Sequence, residues 1–260
     1  MIFNKTIFLF ILANAAFQSF SQSKALPAEA KSFVLKGYEM MDYVTGDLNG
    51  DKRADAILIL KVKGEDTVND DANRPFIILI RQPNGKLKSE RRNDSAIMCY
   101  HCGGVFGDPY ESTSIENNGF TLNFYGGSND RWGYTYFFSY DAKTKNWALI
   151  KEKDVSYRST DPENTTQETT IGAAELEGIS IRNFNSSPAY NDDKWKVSAA
   201  KTFFYNDPRI GSKPRKGYLM KNDVVAGIRE LKNFVEVSFE NGNEQFTTGY
   251  ALKKDLVKIK

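Results

Sequence analysis

Two short stretches carry side chains whose types and spacing could do chemistry. The first, TGDLNGDKRADAILIL at residues 45–60, sets Asp47, Asn49, Asp51 and Asp55 at positions one, three, five and nine of a loop, with the Arg53 carbonyl at seven. Hard oxygens spaced by two along a tight loop converge on one point, as a calcium ion with about six to eight oxygen ligands requires. The alternative is a metal-free turn in which Asn and Asp side chains bond to their own backbone. An EF-hand is excluded, because Leu58 stands where position twelve needs a bidentate Glu and no helices flank the loop.

The second stretch, IMCYHCGGVFGDPY at residues 97–110, holds both cysteines, Cys99 and Cys102, around the only histidine, His101. A structural disulfide is the expectation, which places the chain in an oxidising compartment. A redox pair needs its first Cys at a helix N-terminus within a βαβ unit, and here Gly103 and Gly104 follow at once. Zinc would find at most three ligands in four residues, with no second cluster to complete a tetrahedron. Those two readings stand as alternatives.

The rest of the chain offers little to an enzyme. A Ser-His-Asp triad could be built only on His101, no nucleophile elbow is present, and no glycine-rich phosphate cradle precedes a helix. Carboxylates are plentiful, yet no sequence spacing singles out a pair. The expectation is therefore an exported, non-enzymatic binding or interaction protein, with an envelope thiol-disulfide protein using CYHC as the alternative.

These stretches must be held by a fold, and composition bounds it. The 260 residues carry 35 basic and 33 acidic side chains, so no strong positive field marks a dedicated nucleic-acid binder. The N-terminal MIFNKTIFLFILANAAFQSFSQ has Lys5 before an apolar run from Ile7 to Ala16 and small residues at Ser19 and Ser21. That order predicts a signal peptide over residues 1–21, cleaved before Gln22. No Cys stands there for a lipid, and no later segment is apolar enough to span a membrane. Periplasm or secretion follows.

Strand signals dominate the remainder. DAILILKV is a short β-rich apolar run, and RPFIILIRQPNGKLKSE reads as strand, Asn-Gly turn and return strand. In RWGYTYFFSYDAKTKNWALIKE, Trp132, Tyr134, Tyr136, Phe138 and Tyr140 alternate with Gly133, Thr135, Phe137 and Ser139, a period of two that predicts one buried aromatic face. The polar stretches SYRSTDPENTTQETT and NFNSSPAYNDDK interrupt the pattern, AELEGISIRNF between them reads as a further strand, and the second polar stretch reads as a domain boundary. The fold expected is all-β and mainly antiparallel: a larger β-sheet domain over residues 22–190 and a small barrel of five short strands over 197–260.

Three resemblances add to this. DLNGDKRADAILIL resembles the calcium hairpin of FG-GAP and integrin-propeller repeats, Asp-x-Asn-Gly-Asp-Gly-x-x-Asp before an apolar strand, with Lys52 in place of the usual left-handed Gly. A single such loop cannot build a propeller, so the resemblance implies one calcium-stiffened hairpin. TTGYALKKDLVKI and KGYLMKNDVV resemble strands of bacterial SH3-like domains, which implies a barrel that binds cell-wall or protein ligands. GDPY with GGSNDRW resembles uncharacterised exported bacterial proteins and implies nothing chemical.

Overall fold

The computed structural model describes residues 25–67, 72–186, 193–241 and 245–259. The expected signal peptide lies outside them. The described chain is all-β, its sheets are antiparallel, and it has no long helix.

Three sheets follow in chain order. The first is a four-stranded meander of β1 (Tyr38–Gly46), β2 (Asp55–Val62), β3 (Phe76–Arg81) and β4 (Leu87–Asn93). Its central strands are buried on both faces, which is why AILIL and FIILI read as unbroken apolar runs. One face, with Ile57, Ile59, Phe76 and Ile78, joins the main core; the other, with Leu58, Leu60, Ile77 and Leu79, is covered by the N-terminal segment through Leu26, Ala30 and Phe33.

The second sheet is a five-stranded meander of β5 (Tyr110–Glu116), β6 (Gly119–Gly127), β7 (Asp130–Asp141), β8 (Asn146–Arg158) and β9 (Gln167–Gly172). Phe120, Leu122, Phe124, Tyr136 and Phe138 face the first sheet's apolar side in that shared core. The polar stretch 156–170 is not an interruption: it is the end of β8, one short turn, and β9. An edge strand needs few apolar residues, and only Ile171 of β9 is buried. AELEGISIRNF, conversely, is not a strand. It folds into consecutive turns, with one isolated bridge from Ser180 to Ala148, and drives Leu176, Ile181 and Phe184 into the core as plugs.

The third sheet holds seven strands, two more than the pattern predicts, and begins at Lys194. These are β10 (Lys194–Val197), β11 (Lys201–Tyr205), β12 (Pro214–Met220), β13 (Val224–Glu230), β14 (Phe234–Glu240), β15 (Phe246–Leu252) and β16 (Leu256–Ile259), in spatial order β12-β11-β15-β14-β13-β10-β16. Trp195, Phe204, Leu219, Val225, Val237, Ala251 and Leu256 meet in one cluster, so the sheet curls around a core of its own. Its outer face sends Leu231, Phe234 and Tyr250 into the main core. The two parts of the chain therefore share an apolar seam.

Candidate functional site

The most developed site lies on that seam, where two strand irregularities face each other. In β8, Phe137 of β7 pairs with Lys151 but Phe138 pairs with Leu149, leaving Ile150 as an extra, outward residue. Strict alternation from Trp147 and Leu149 would put Lys151 and Lys153 on the inner face. The bulge reverses the phase. Lys151 and Lys153 stand over the outer ring of Phe137, while Glu152 and Asp154 turn inward beside their cross-strand partners Tyr136 and Tyr134. In β13, Gly227 pairs with Val237 but Arg229 pairs with Glu236, so Ile228 is the extra residue there. That bulge takes Arg229 off the face of Val225 and Gly227 and places it beside Glu236, aimed at β8.

Between these strands is a cleft of about 240 Å³, walled by Tyr134, Tyr136, Glu152 and Asp154 on one side and Ile228, Arg229, Glu230 and Glu236 on the other. Leu149, Ile179, Asn183, Phe184 and Asn185 close it. Arg229 bonds Glu152 across the seam and Glu236 beside it, the latter at 3.1 Å. Burial alone would lower the guanidinium's pKa, but the two carboxylates hold it well above its ordinary value. Glu230 pairs outward with Lys253.

Asp154 has no such partner. Burial, the Glu152 charge and a hydrogen bond with Glu152 push it up to about 8, against the opposing pull of Arg229. Its Oδ1 has no solvent contact and no hydrogen-bond donor. Burial also raises Glu236, and raises Tyr134 to about 12. A cavity between two sheets, lined by aromatics and by carboxyls of displaced pKa, has the makings of a ligand site.

The sequence does not single out Glu152, Asp154, Arg229 or Glu236. The available signal is the run Lys151, Glu152, Lys153, Asp154, which segregates charge by strand face: all lysines one way, all acids the other.

The sequence-predicted loop is placed as a tight turn between β1 and β2. Asp47, Asp51 and Asp55 bring carboxylate oxygens within 4.8 Å of one another. Asp47 accepts backbone N–H groups of Asn49, Gly50 and Asp51 on Oδ1 and of Lys52 on Oδ2, which together outweigh burial and lower its pKa. Buried Asp55 accepts from Leu48 and Arg81, yet burial and the charges of Asp51 and Asp47 raise it. Asn49 and Arg53 both bond Asp51, Arg53 through its guanidinium, and the Arg53 carbonyl accepts from Asp55 N–H. Lys52 adopts φ +65°, the left-handed conformation its position demands. Three converging carboxylates are a group of the kind that holds a metal ion, but the loop's own donors compete for it: Asp47 Oδ1 already takes three N–H groups and both oxygens of Asp51 are engaged. The Arg53 guanidinium is the competing cation.

The Cys99 and Cys102 sulfurs are bonded across one 3-10 turn, residues 100–103. No thiolate remains there for zinc or for attack on another disulfide while that bond stands. The turn is held from beneath by Arg74, fully buried, which bonds Glu65, the Met98 carbonyl and both oxygens of Asp108 at 2.7 and 2.8 Å. No protein-family model matches the chain, and neither a curated protein nor a solved structure matches it.

Proposed function

We propose that the protein is a non-catalytic binding protein of an oxidising, extracytoplasmic compartment, and that its ligand seats in the cleft between β8 and β13–β14. The observation that carries this reading is the pair of facing bulges at Ile150 and Ile228. Both aim charged side chains into one cavity that neither sheet could form alone, and bulges of this kind commonly re-aim side chains at functional sites.

The Cys99–Cys102 bond supports the compartment, since disulfides persist where thiols are not kept reduced. No helix among the described residues is long and apolar enough to cross a membrane. The SH3-like resemblance of the C-terminal strands supports a cell-wall or protein ligand, and calcium at Asp47, Asn49, Asp51, the Arg53 carbonyl and Asp55 belongs to this reading as a structural ion.

The test is a thermal-shift screen of the purified chain against cell-wall fragments and envelope proteins, with Tyr134→Ala and Glu236→Gln as controls. A ligand whose shift disappears in both variants supports the cleft. Ligands that act equally on wild type and both variants would move the site elsewhere and defeat the proposal.

A further inference from the structure

A second hollow, apart from that cleft, lies wholly within the C-terminal sheet. It measures about 420 Å³ and opens where the β11–β12 turn, the β13–β14 turn and the 3-10 turn Lys253–Asp255 meet. Tyr205 and Leu252, both half-buried, give it an apolar floor, and Phe234 backs Tyr205 edge-on at a ring-centroid distance of 5.3 Å. Ile210 stands at the mouth, 67% exposed. The turn that carries it is held in place. The Ser212 hydroxyl donates to the Asp207 carbonyl at 2.7 Å, Ser212 N–H to the Arg209 carbonyl at 3.1 Å, and Arg209 Nε to the Asp207 carboxylate. A wall fixed in this way loses little freedom when a ligand seats against it.

The rim is positive. Lys232, Lys253 and Lys254 stand on it, and no carboxyl lines the hollow. Lys232 and Lys253 pair with Glu177 and Glu230 outside it, in exposed contacts that give way readily to a competing anion. Lys254 is exposed and has no carboxylate partner among the described residues. The wider field has the same sign: residues 193–260 carry 14 basic against 8 acidic side chains, whereas residues 1–192 carry 21 against 25.

We propose that this hollow is a second binding site and takes a small organic acid, a carboxylate head on an aromatic or branched apolar body. The body covers Ile210 and rests on Tyr205 and Leu252, which takes apolar surface out of water. The head lies at the rim, where Lys254 meets it and Lys232 and Lys253 exchange their exposed carboxylates for it. The volume lies within the range of about 300–1,000 Å³ typical of pockets for one small molecule. The cleft at Arg229, with Glu152, Asp154, Glu230 and Glu236 on its walls, repels the same anion. The assignment therefore does not depend on that cleft holding a ligand.

The experiment titrates phenylbutyrate into the full chain, with phenylbutanol and phenylbutylamine as neutral and cationic counterparts, followed by NMR of the Ile210 methyls and the Tyr205 and Tyr134 rings. The expected result is saturable movement of Ile210 and Tyr205 by the acid, with the alcohol about fivefold weaker and the amine weaker still. Affinity for the acid should fall as salt is raised, and affinity for the alcohol should not. Lys254→Glu should weaken the acid about fivefold and strengthen the amine. Ile210→Ser should weaken all three about fivefold. Both side chains are exposed, so neither change threatens the fold. Equal binding of acid, alcohol and amine, unaltered by Lys254→Glu, would overturn the choice of an anion. Movement of Tyr134 while Ile210 stays still would place the acid in the Arg229 cleft and remove this site, as would no movement of any of these signals. Phosphatidylglycerol vesicles form the last arm: if they move the Ile210 methyls and phenylbutyrate does not, this face docks on a membrane and the small-acid assignment falls.

Discussion

Arg229, at the end of β13, reaches across the seam and bonds Glu152 of β8. It is the one ion pair among the described residues that links the curled C-terminal sheet to the inner face of the five-stranded sheet. Glu152 is 2% exposed at its side chain, so that guanidinium, and not water, is what its carboxylate meets. The apolar seam of Leu231, Phe234 and Tyr250 brings the sheets together, and the ion pair fixes their register.

Arg229→Met should therefore destabilise the chain strongly, because it strands a buried carboxylate. The expected loss is about 3–5 kcal/mol in urea unfolding. Adding Glu152→Gln to Arg229→Met should recover more than half of it. A loss below about 1 kcal/mol for Arg229→Met would mean that Glu152 is solvated and the seam is held by apolar contact alone.

Asp154 sets a pH dependence of unusual sign. In the folded chain it keeps its proton to about 8, against an ordinary value of 3.8. Between those values the folded chain binds more protons than the unfolded one, so stability falls as pH rises, and the loss is complete above about 8. Glu236, raised by burial, acts in the same direction. The melting temperature should decline from pH 5 to pH 8.5, and Asp154→Asn should flatten most of that decline and add about 1 kcal/mol or more at the alkaline end. A wild-type stability that rises over this range would contradict the buried, protonated Asp154.

Much of the fold is legible in the residues because packing there follows simple periods. The runs AILIL and FIILI announce strands buried on two faces, and Tyr136 and Phe138 point inward as the alternation around them requires. The cleft is not legible, because its geometry depends on two single-residue insertions in a register. Nothing in the local sequence marks Ile150 or Ile228 as the residue that slips, and a slip of one reverses every side chain beyond it. For the same reason period-two reading places Lys151 and Lys153 inside. The edge strand β9 escaped because QETTIG carries a single buried apolar side chain, while the plug residues Leu176, Ile181 and Phe184 imitate a strand without forming one.

The disulfide closes a small ring, so its effect on the unfolded chain is modest. Cys99→Ser with Cys102→Ser should cost on the order of 2 kcal/mol, since Arg74 still ties Glu65, Met98 and Asp108 together beneath the turn. Neither insulin reduction nor refolding of a scrambled substrate should be accelerated by the wild type. Turnover in either assay would establish the thiol-disulfide alternative.

The C-terminal sheet needs its first strand. β10 lies between β13 and β16 and bonds both, and Trp195 is 6% exposed within the local core. A fragment of residues 193–260 should fold cooperatively, whereas 197–260 loses Trp195 and separates β16 from β13. The difference should be about 3–5 kcal/mol, the usual cost of deleting a buried Trp. Equal stability of the two fragments would show that β10 is dispensable. The longer fragment should also self-associate, since Leu231, Phe234 and Tyr250 lose their cover.

The loop of Asp47, Asp51 and Asp55 makes the last prediction, and Trp147 supplies its reporter. Trp147 Nε1 donates to the Leu48 carbonyl at 2.8 Å, and both residues are fully buried, so movement of the loop changes the indole's environment. Calcium should neutralise three converging carboxylates, raise the melting temperature and shift Trp147 emission, with affinity in the roughly 10⁻⁴ to 10⁻³ M range of extracellular modules. At a hundredfold excess over the dissociation constant the gain should be about 2.7 kcal/mol. Asp51→Ala should abolish both responses. Magnesium should do far less, because it demands tighter octahedral geometry and gives up water reluctantly. Lys52→Gly should stabilise the loop by up to about 1 kcal/mol without calcium, since glycine adopts the observed φ of +65° freely, and should tighten calcium by removing a positive charge. If millimolar calcium changes neither melting nor emission in the wild type or in Lys52→Gly, the loop is a metal-free turn. Its carboxylates then belong to the backbone N–H groups and to Arg53.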